Sequence, residues 1–135
     1  MPFTKFGKKR EQGQTMAEFT LVLPVLAILL FGIIQFGIVF NNYLAVTDAV
    51  RAGARQAAVS RILPPAQRDA AVRAKVYASA DNLDASRLKV TVSASGGWQH
   101  GTDVTVTATY PYSINLLGKV VKDGLLTSKT TERVE

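Results

Sequence analysis

Cysteine is absent from this chain of 135 residues, histidine and tryptophan occur once each, and no charged residue stands between Phe19 and Phe40. Without cysteine no disulfide can staple the chain, so any folded part must be held by packing or by assembly, even in an oxidising compartment. A lone histidine leaves no zinc-type ligand set and no Cys–His nucleophile pair, and no acidic pair stands at metal-ligand spacing. Asp81, Asn82 and Asp84 look superficially like a calcium loop, but its glycine and distal glutamate are missing. His100, in a glycine-rich stretch, reads as an exposed loop residue. We therefore expect no enzyme, and assign no catalytic residue, metal site or cofactor.

The missing charge is the positive signal of the amino-terminal part. Phe19 to Phe40 is 22 residues, about 33 Å of helix, which matches a hydrocarbon core of about 30 Å. A run this long reads as a membrane span rather than a buried helix. Pro24 lies near its start, where a neighbouring helix or a local adjustment can satisfy the freed carbonyl. Gln35 is the one polar residue deep in the run, open to a bond with its own backbone or with another helix. Lys5, Lys8, Lys9 and Arg10 precede the span, against Arg51 and Arg55 at comparable distance beyond it. That asymmetry places the amino terminus in the cytoplasm and residues 41–135 outside it, in a single-pass cell-membrane protein. The formal charge is +6, but residues 1–13 hold four bases and one acid; 16 less 4 against 10 less 1 leaves +3. So mild an excess argues against nucleic acid as a partner.

An ordinary secretory signal is cut after a short apolar core, next to small residues. Here the conspicuous glycine, Gly13, stands before the apolar run, followed by Gln14, Thr15, Met16, Ala17, Glu18 and Phe19. The arrangement resembles a prepilin leader of the type IV pilin superfamily. Cutting after Gly13 would leave glutamate fifth and phenylalanine sixth in the mature chain. Glycine suits a scissile position because it lacks a side chain. Glu18 would then lie about 6 Å, roughly one helical turn, from the new amino terminus at Gln14.

Past the span, the helical pattern continues to about Ser60, with Tyr43, Val46, Val50, Ala54 and Ala57 on one face and Asp48, Arg51 and Arg55 on the other. Gly53 lowers helix preference by about 1 kcal/mol relative to alanine, which points to a packing reason. Pro64 and Pro65 end this helix and start another, from about Ala66 to Ala80, with Asp69 and Arg73 spaced as an ion pair. From Leu88 the period becomes two, giving one strand to Ala94 and, after a turn around Trp98, a second from Val104 to Tyr110. A third is expected from about Leu125 to Val134, after a loop holding Pro111, Gly118 and Gly124. The expected class is α+β: a long amino-terminal transmembrane helix continuing into an extracytoplasmic helix, a second short helix, and an antiparallel sheet of about three strands. The expected division is a leader at 1–13, a transmembrane segment at 14–40 and an extracytoplasmic pilin-like domain at 41–135.

Gly13, Glu18, Phe19 and Pro24, the run from Phe31 to Gly37, and then Arg51, Ala52, Gly53, Ala54 and Arg55 resemble the TadE-like family, minor pilins or pseudopilins of the Tad (tight adherence, Flp-type) pilus system. The resemblance covers about a third of the chain, from Gly13 to about Val59. It implies a processed minor pilin that supports assembly or initiation of a Tad (Flp-type IVb) pilus used for adherence or secretion. It further implies leader cleavage between Gly13 and Gln14 by a prepilin peptidase, and subunit assembly through Glu18 and Phe19. The partners it implies are that peptidase, other minor pilins, the major Flp pilin and Tad platform proteins, beside membrane lipid, and the subunit could be incorporated in the pilus. One alternative stays open: an uncleaved single-pass anchored binding protein, its ligand DNA or another surface protein, using Trp98 or the row Arg51, Arg55, Arg61.

Overall fold

The computed structural model describes residues 7–135. It shows an α+β chain: helix α1 (Gly7–Val59), a short 3-10 turn (Ser60–Ile62), helix α2 (Pro65–Ser79), and strands β1 (Lys89–Ala94), β2 (Asp103–Leu116) and β3 (Lys119–Arg133). Of the expected leader, residues 1–6, including Lys5, lie outside the described residues. Helix α1 runs for 53 residues without interruption at Pro24, a length of about 80 Å.

Only the far end of α1 belongs to the folded domain. Met16 to Leu44 carry large apolar side chains that the rest of the chain leaves exposed, whereas Val46, Ala49, Val50, Ala54 and Ala57 are fully buried. The switch follows from partners: among the described residues, the core that the sheet and α2 share with α1 involves only its carboxyl-terminal part. Tyr43, expected on the buried face, stays outside it at 41% exposure.

The core is made of small aliphatic side chains. Val72 and Val76 of α2 meet Val104, Val106 and Ala108 of β2 around α1, with Val90, Leu88 and Val134 closing the edges. Phenylalanine contributes nothing, since all six lie at or before Phe40. Close approach substitutes for bulk: a methyl built on Gly53 would lie 2.3 Å from Cγ2 of Val76 and 3.5 Å from Cγ1 of Val106. Gly53 is thus the point where α1, α2 and β2 converge, which is the packing reason its sequence position implied. Arg73 pairs with Asp69 at 2.7 Å and also donates to the carbonyl of Val90. Tyr77 donates to the carbonyl of Leu88 at 3.1 Å, so two side chains of α2 tie it to the start of the sheet.

The sheet is antiparallel in the order β1-β2-β3. It differs from expectation in one respect. The segment expected as a loop with Pro111, Gly118 and Gly124 forms the outer half of a long β2–β3 hairpin, with Tyr112 opposite Gly124 and Leu116 opposite Lys119. Pro111 is tolerated because β1 pairs with β2 only as far as Thr109, so beyond it β2 has a free edge where a missing N–H breaks no ladder. The Tyr112 ring covers Gly124, its Cε1 2.9 Å from where a Cβ would stand. The strand weakness of glycine is thereby offset by an aromatic neighbour.

Candidate functional site

Gly13, Gln14, Glu18 and Phe19 lie on the exposed amino-terminal part of α1. Among the described residues nothing crowds Gly13; a methyl built there would meet nothing within 4 Å. Gln14 donates from Nε2 to Oε1 of Glu18 at 3.1 Å, which places residue 14 and the carboxylate on one face across a single turn. The hydroxyls of Thr15 and Thr20 donate to the carbonyls of Glu11 and Met16, at 2.9 and 2.8 Å. Near the head of an apolar helix, these local bonds satisfy polar groups without any partner from outside the helix. Phe19 is 60% exposed, facing whatever surrounds α1 rather than the folded domain.

The helix continues through Gly13 instead of breaking at it. Opening the backbone after Gly13 would require the first turns of α1 to unwind locally. Glycine lowers that cost by about 1 kcal/mol relative to alanine.

Helix α1 is long and apolar enough to cross a membrane, and none of its most apolar stretch is buried by the rest of the chain. That exposure sets it apart from the core helix of a water-soluble protein, whose apolar face is covered by its own domain. Phe36 and Phe40 stack at 6.1 Å between ring centroids on the last two turns of the run.

The run from Arg51 to Arg55 divides by burial: Gly53 and Ala54 face the core, while Arg51 and Arg55 are exposed on its flanks. Arg51 reaches Asp48 at 3.6 Å, both side chains well exposed. Such a pair contributes little to stability. Arg61 is exposed, and its carbonyl accepts from Arg68 Nη2 at 2.9 Å. Trp98 is half-buried at the β1–β2 connection and packs against the core, which makes it a packing residue of the turn. His100 is exposed in the same connection.

Asp84, in the turn that follows α2, caps that turn itself. Its Oδ1 accepts from the Ser86 hydroxyl at 2.6 Å and from the Ser86 amide at 3.0 Å. These two bonds, the hydroxyl first, hold its carboxyl below the ordinary value of 3.8, with a further contribution from Arg87. Among the described residues, no group of three or more histidines and acids is placed to hold a metal ion.

The outer half of the β2–β3 hairpin went unread in the sequence. Pro111 and two glycines mimic a loop there, and a bulge between Ile114 and Asn115 in the pairing breaks the alternation. The signal that could have found it is the Leu117–Gly118 pair between two apolar runs, the length of a tight hairpin turn.

The model of the family described as TadE-like protein matches residues 13–55. Comparison with curated proteins and with solved structures found no match. The matched stretch begins at Gly13 and ends at Arg55, so it takes in the exposed apolar helix and the small-residue crossing at Gly53 and stops short of the sheet. A TadE-like stretch of this kind indicates a pilin-like protein related to the Tad pilus, and the single apolar helix at its amino-terminal end fits membrane anchoring. Over residues 13–55 the chain is similar to the TadE-like family.

Proposed function

We propose that the chain is a prepilin-like precursor, cut between Gly13 and Gln14 by a prepilin peptidase, whose mature form supports assembly or initiation of a Tad pilus. Residues 1–13 are its leader, 14–40 its transmembrane segment and 41–135 its extracytoplasmic domain. The four leader cations hold the amino terminus in the cytoplasm until the cut.

The observation that carries this reading is the register of the junction on one unbroken helix. Gly13, Gln14 and Glu18 lie in that order at the head of an exposed apolar segment, with Gln14 and Glu18 in contact at 3.1 Å. A carboxylate in hydrocarbon costs up to about 3.5 kcal/mol, less near the interface. A charged partner removes much of that cost. After cleavage the new α-amine sits one turn before Glu18, so a neighbouring copy or related minor pilin displaced by one turn would present its amine to this carboxylate. Phe19 supplies the adjoining apolar contact. The partners on this reading are the peptidase, other minor pilins, the major Flp pilin and Tad platform proteins.

Complementation tests the role. In a host strain deleted for this chain and deficient in Tad pili, the native gene restores pili and a Gly13→Val variant, present in the membrane at equal level, does not. Full restoration by Gly13→Val contradicts processing as a requirement, and normal piliation in the deletion strain contradicts the role itself.

A further inference from the structure

The β2–β3 hairpin extends beyond the core and ends in apolar side chains that nothing among the described residues covers. Leu117 is 71% exposed, Val120 and Val121 62% each, and Leu125 65%. Leu117 and Gly118 form a two-residue turn with φ of 50° and 81°, a conformation normally given to asparagine and glycine. A leucine there is both strained and exposed, so neither the turn nor the core explains it. The bulge adds Val121 as an extra residue between the Ile114–Lys122 and Asn115–Val120 pairs, which brings two consecutive valines to the tip. Lys119 and Lys122 flank them, with Asp123 the one acid in the arm.

The arm points along α1 toward its apolar half. At the far end of α1, the Glu135 amide donates to the Ala58 carbonyl at 3.0 Å, and the adjoining Val134 amide to that of Thr102 at 2.8 Å. Further back along α1, Gly53 lies over Val106. Moving up β2 from residue 102 to 106 thus moves back along α1 from residue 58 to 53. The ten further residues from Val106 to Leu116 span about 33 Å of strand, and the thirteen from Gly53 back to Phe40 about 20 Å of helix. Inclined to the helix by about 50°, a hairpin of that length would bring its tip level with Phe40, where the uncharged run ends.

From this placement we propose that the β2–β3 tip is a second membrane contact, lodging Leu117, Val120 and Val121 in the interfacial layer beside the emerging helix, with Lys119 and Lys122 on anionic lipid headgroups. The occupant is a lipid surface because the tip combines apolar residues with two cations at the depth where α1 leaves the apolar run. Tyr112, over Gly124 on the same arm, and the exposed Tyr43 on α1 suit the same layer, since tyrosine presents an apolar ring and a polar end. The hairpin would fix the tilt and rotation of the domain on the membrane, which a single helix leaves free. The inference rests on α1 spanning a membrane; it does not depend on leader cleavage.

The test uses the full chain, whose lack of cysteine permits single-site labelling. Leu117→Cys, Val121→Cys, Gln99→Cys and Ile28→Cys variants each carry an environment-sensitive fluorophore, in vesicles of phosphatidylcholine and phosphatidylglycerol with nitroxides at shallow or deep acyl positions. The Leu117 and Val121 labels are expected to be quenched by shallow nitroxides, the Ile28 label by deep ones, and the Gln99 label only by aqueous iodide. Changing both Lys119 and Lys122 to glutamate should reduce the shallow quenching by about twofold or more. Tip labels that behave like the Gln99 label, while the Ile28 label is still quenched from lipid, overturn the inference and leave the anchor standing. Tip labels shielded from iodide only at high protein density, without lipid quenching, also overturn it and identify a contact between copies. An Ile28 label that lipid never quenches removes the span itself, and the inference with it.

Discussion

Gln14 and Glu18 are joined across one turn of α1 by a 3.1 Å hydrogen bond from the amide side chain to the carboxylate. This bond occupies the carboxylate that, on the proposed pairing, a neighbour's amine would take. Removing residues 1–13 would put a cationic α-amine on Gln14, and a cation adds Coulomb attraction to the carboxylate that the neutral amide lacks.

Glu18→Ala should consequently separate processing from assembly. The variant is expected to be cut after Gly13 at the normal position, because the scissile glycine is unchanged, and to be lost from complexes isolated with related pilins from detergent-solubilised membranes. Glu18→Gln should behave in the same direction, keeping shape but not charge. Normal co-isolation of both variants would contradict amine–carboxylate pairing.

Gly53 has no room for a side chain. With Cγ2 of Val76 2.3 Å from the position of a Cβ, and valine stiff at χ1, Gly53→Ala forces α1 and α2 apart despite the better helix preference of alanine. Destabilisation of about 1–3 kcal/mol is expected, as for other overpacked cores, measurable by thermal unfolding in detergent. A combined Gly53→Ala, Val76→Ala variant should lose its steric clash, and its non-additivity in a double-mutant cycle checks the contact.

The Leu117–Gly118 turn places a leucine in the left-handed region, at φ 50°. Replacing it with glycine or asparagine relieves strain of about 1 kcal/mol. Leu117→Gly is expected to raise the unfolding midpoint of the detergent-solubilised protein slightly. A lowered midpoint would mean that Leu117 makes a stabilising contact within the chain.

Asp84 makes the domain weakly acid-sensitive. Its carboxyl titrates below 3.8 in the fold because Ser86 bonds the charged form. A carboxyl with a depressed folded value adds stability that is fully present above the unfolded value and is lost as pH falls through the folded one. Ser86→Ala should move the Asp84 titration, followed by NMR of its side-chain carbon, up toward 3.8. The amide of residue 86 remains, so the recovery should be partial.

The parts that sequence reading resolved are those where a single period holds. The apolar run from Phe19, the small-residue face around Gly53 and the Leu88–Ala94 alternation each report one environment along their length, and each forms the expected element. Asp69 and Arg73 pair as their spacing implies, and the helix start at Pro65 follows from the missing amide of proline. The hairpin arm is different. Pro111 and Gly124 are strand-breaking residues in isolation; here the first sits on an edge freed where β1 ends, and the second is covered by Tyr112 from the facing strand. Both conditions are tertiary and invisible along the chain. The direction of the arm depends on contacts between Ala58 and Glu135 and between Gly53 and Val106, residues far apart in sequence. At the candidate site, the order of Gly13, Gln14, Glu18 and Phe19 was legible because it is local. The continuity of helix through Gly13 was not, since glycine reads equally as a turn.

Intact mass and amino-terminal sequencing of the chain, expressed with and without its host's prepilin peptidase, decide whether residues 1–13 are removed. Processing predicts Met1 at the terminus without the enzyme and Gln14 with it, at the mass of residues 14–135. A terminus unchanged by a peptidase shown to be active on another pilin would contradict the account, leaving a membrane-anchored protein whose leader is never cut.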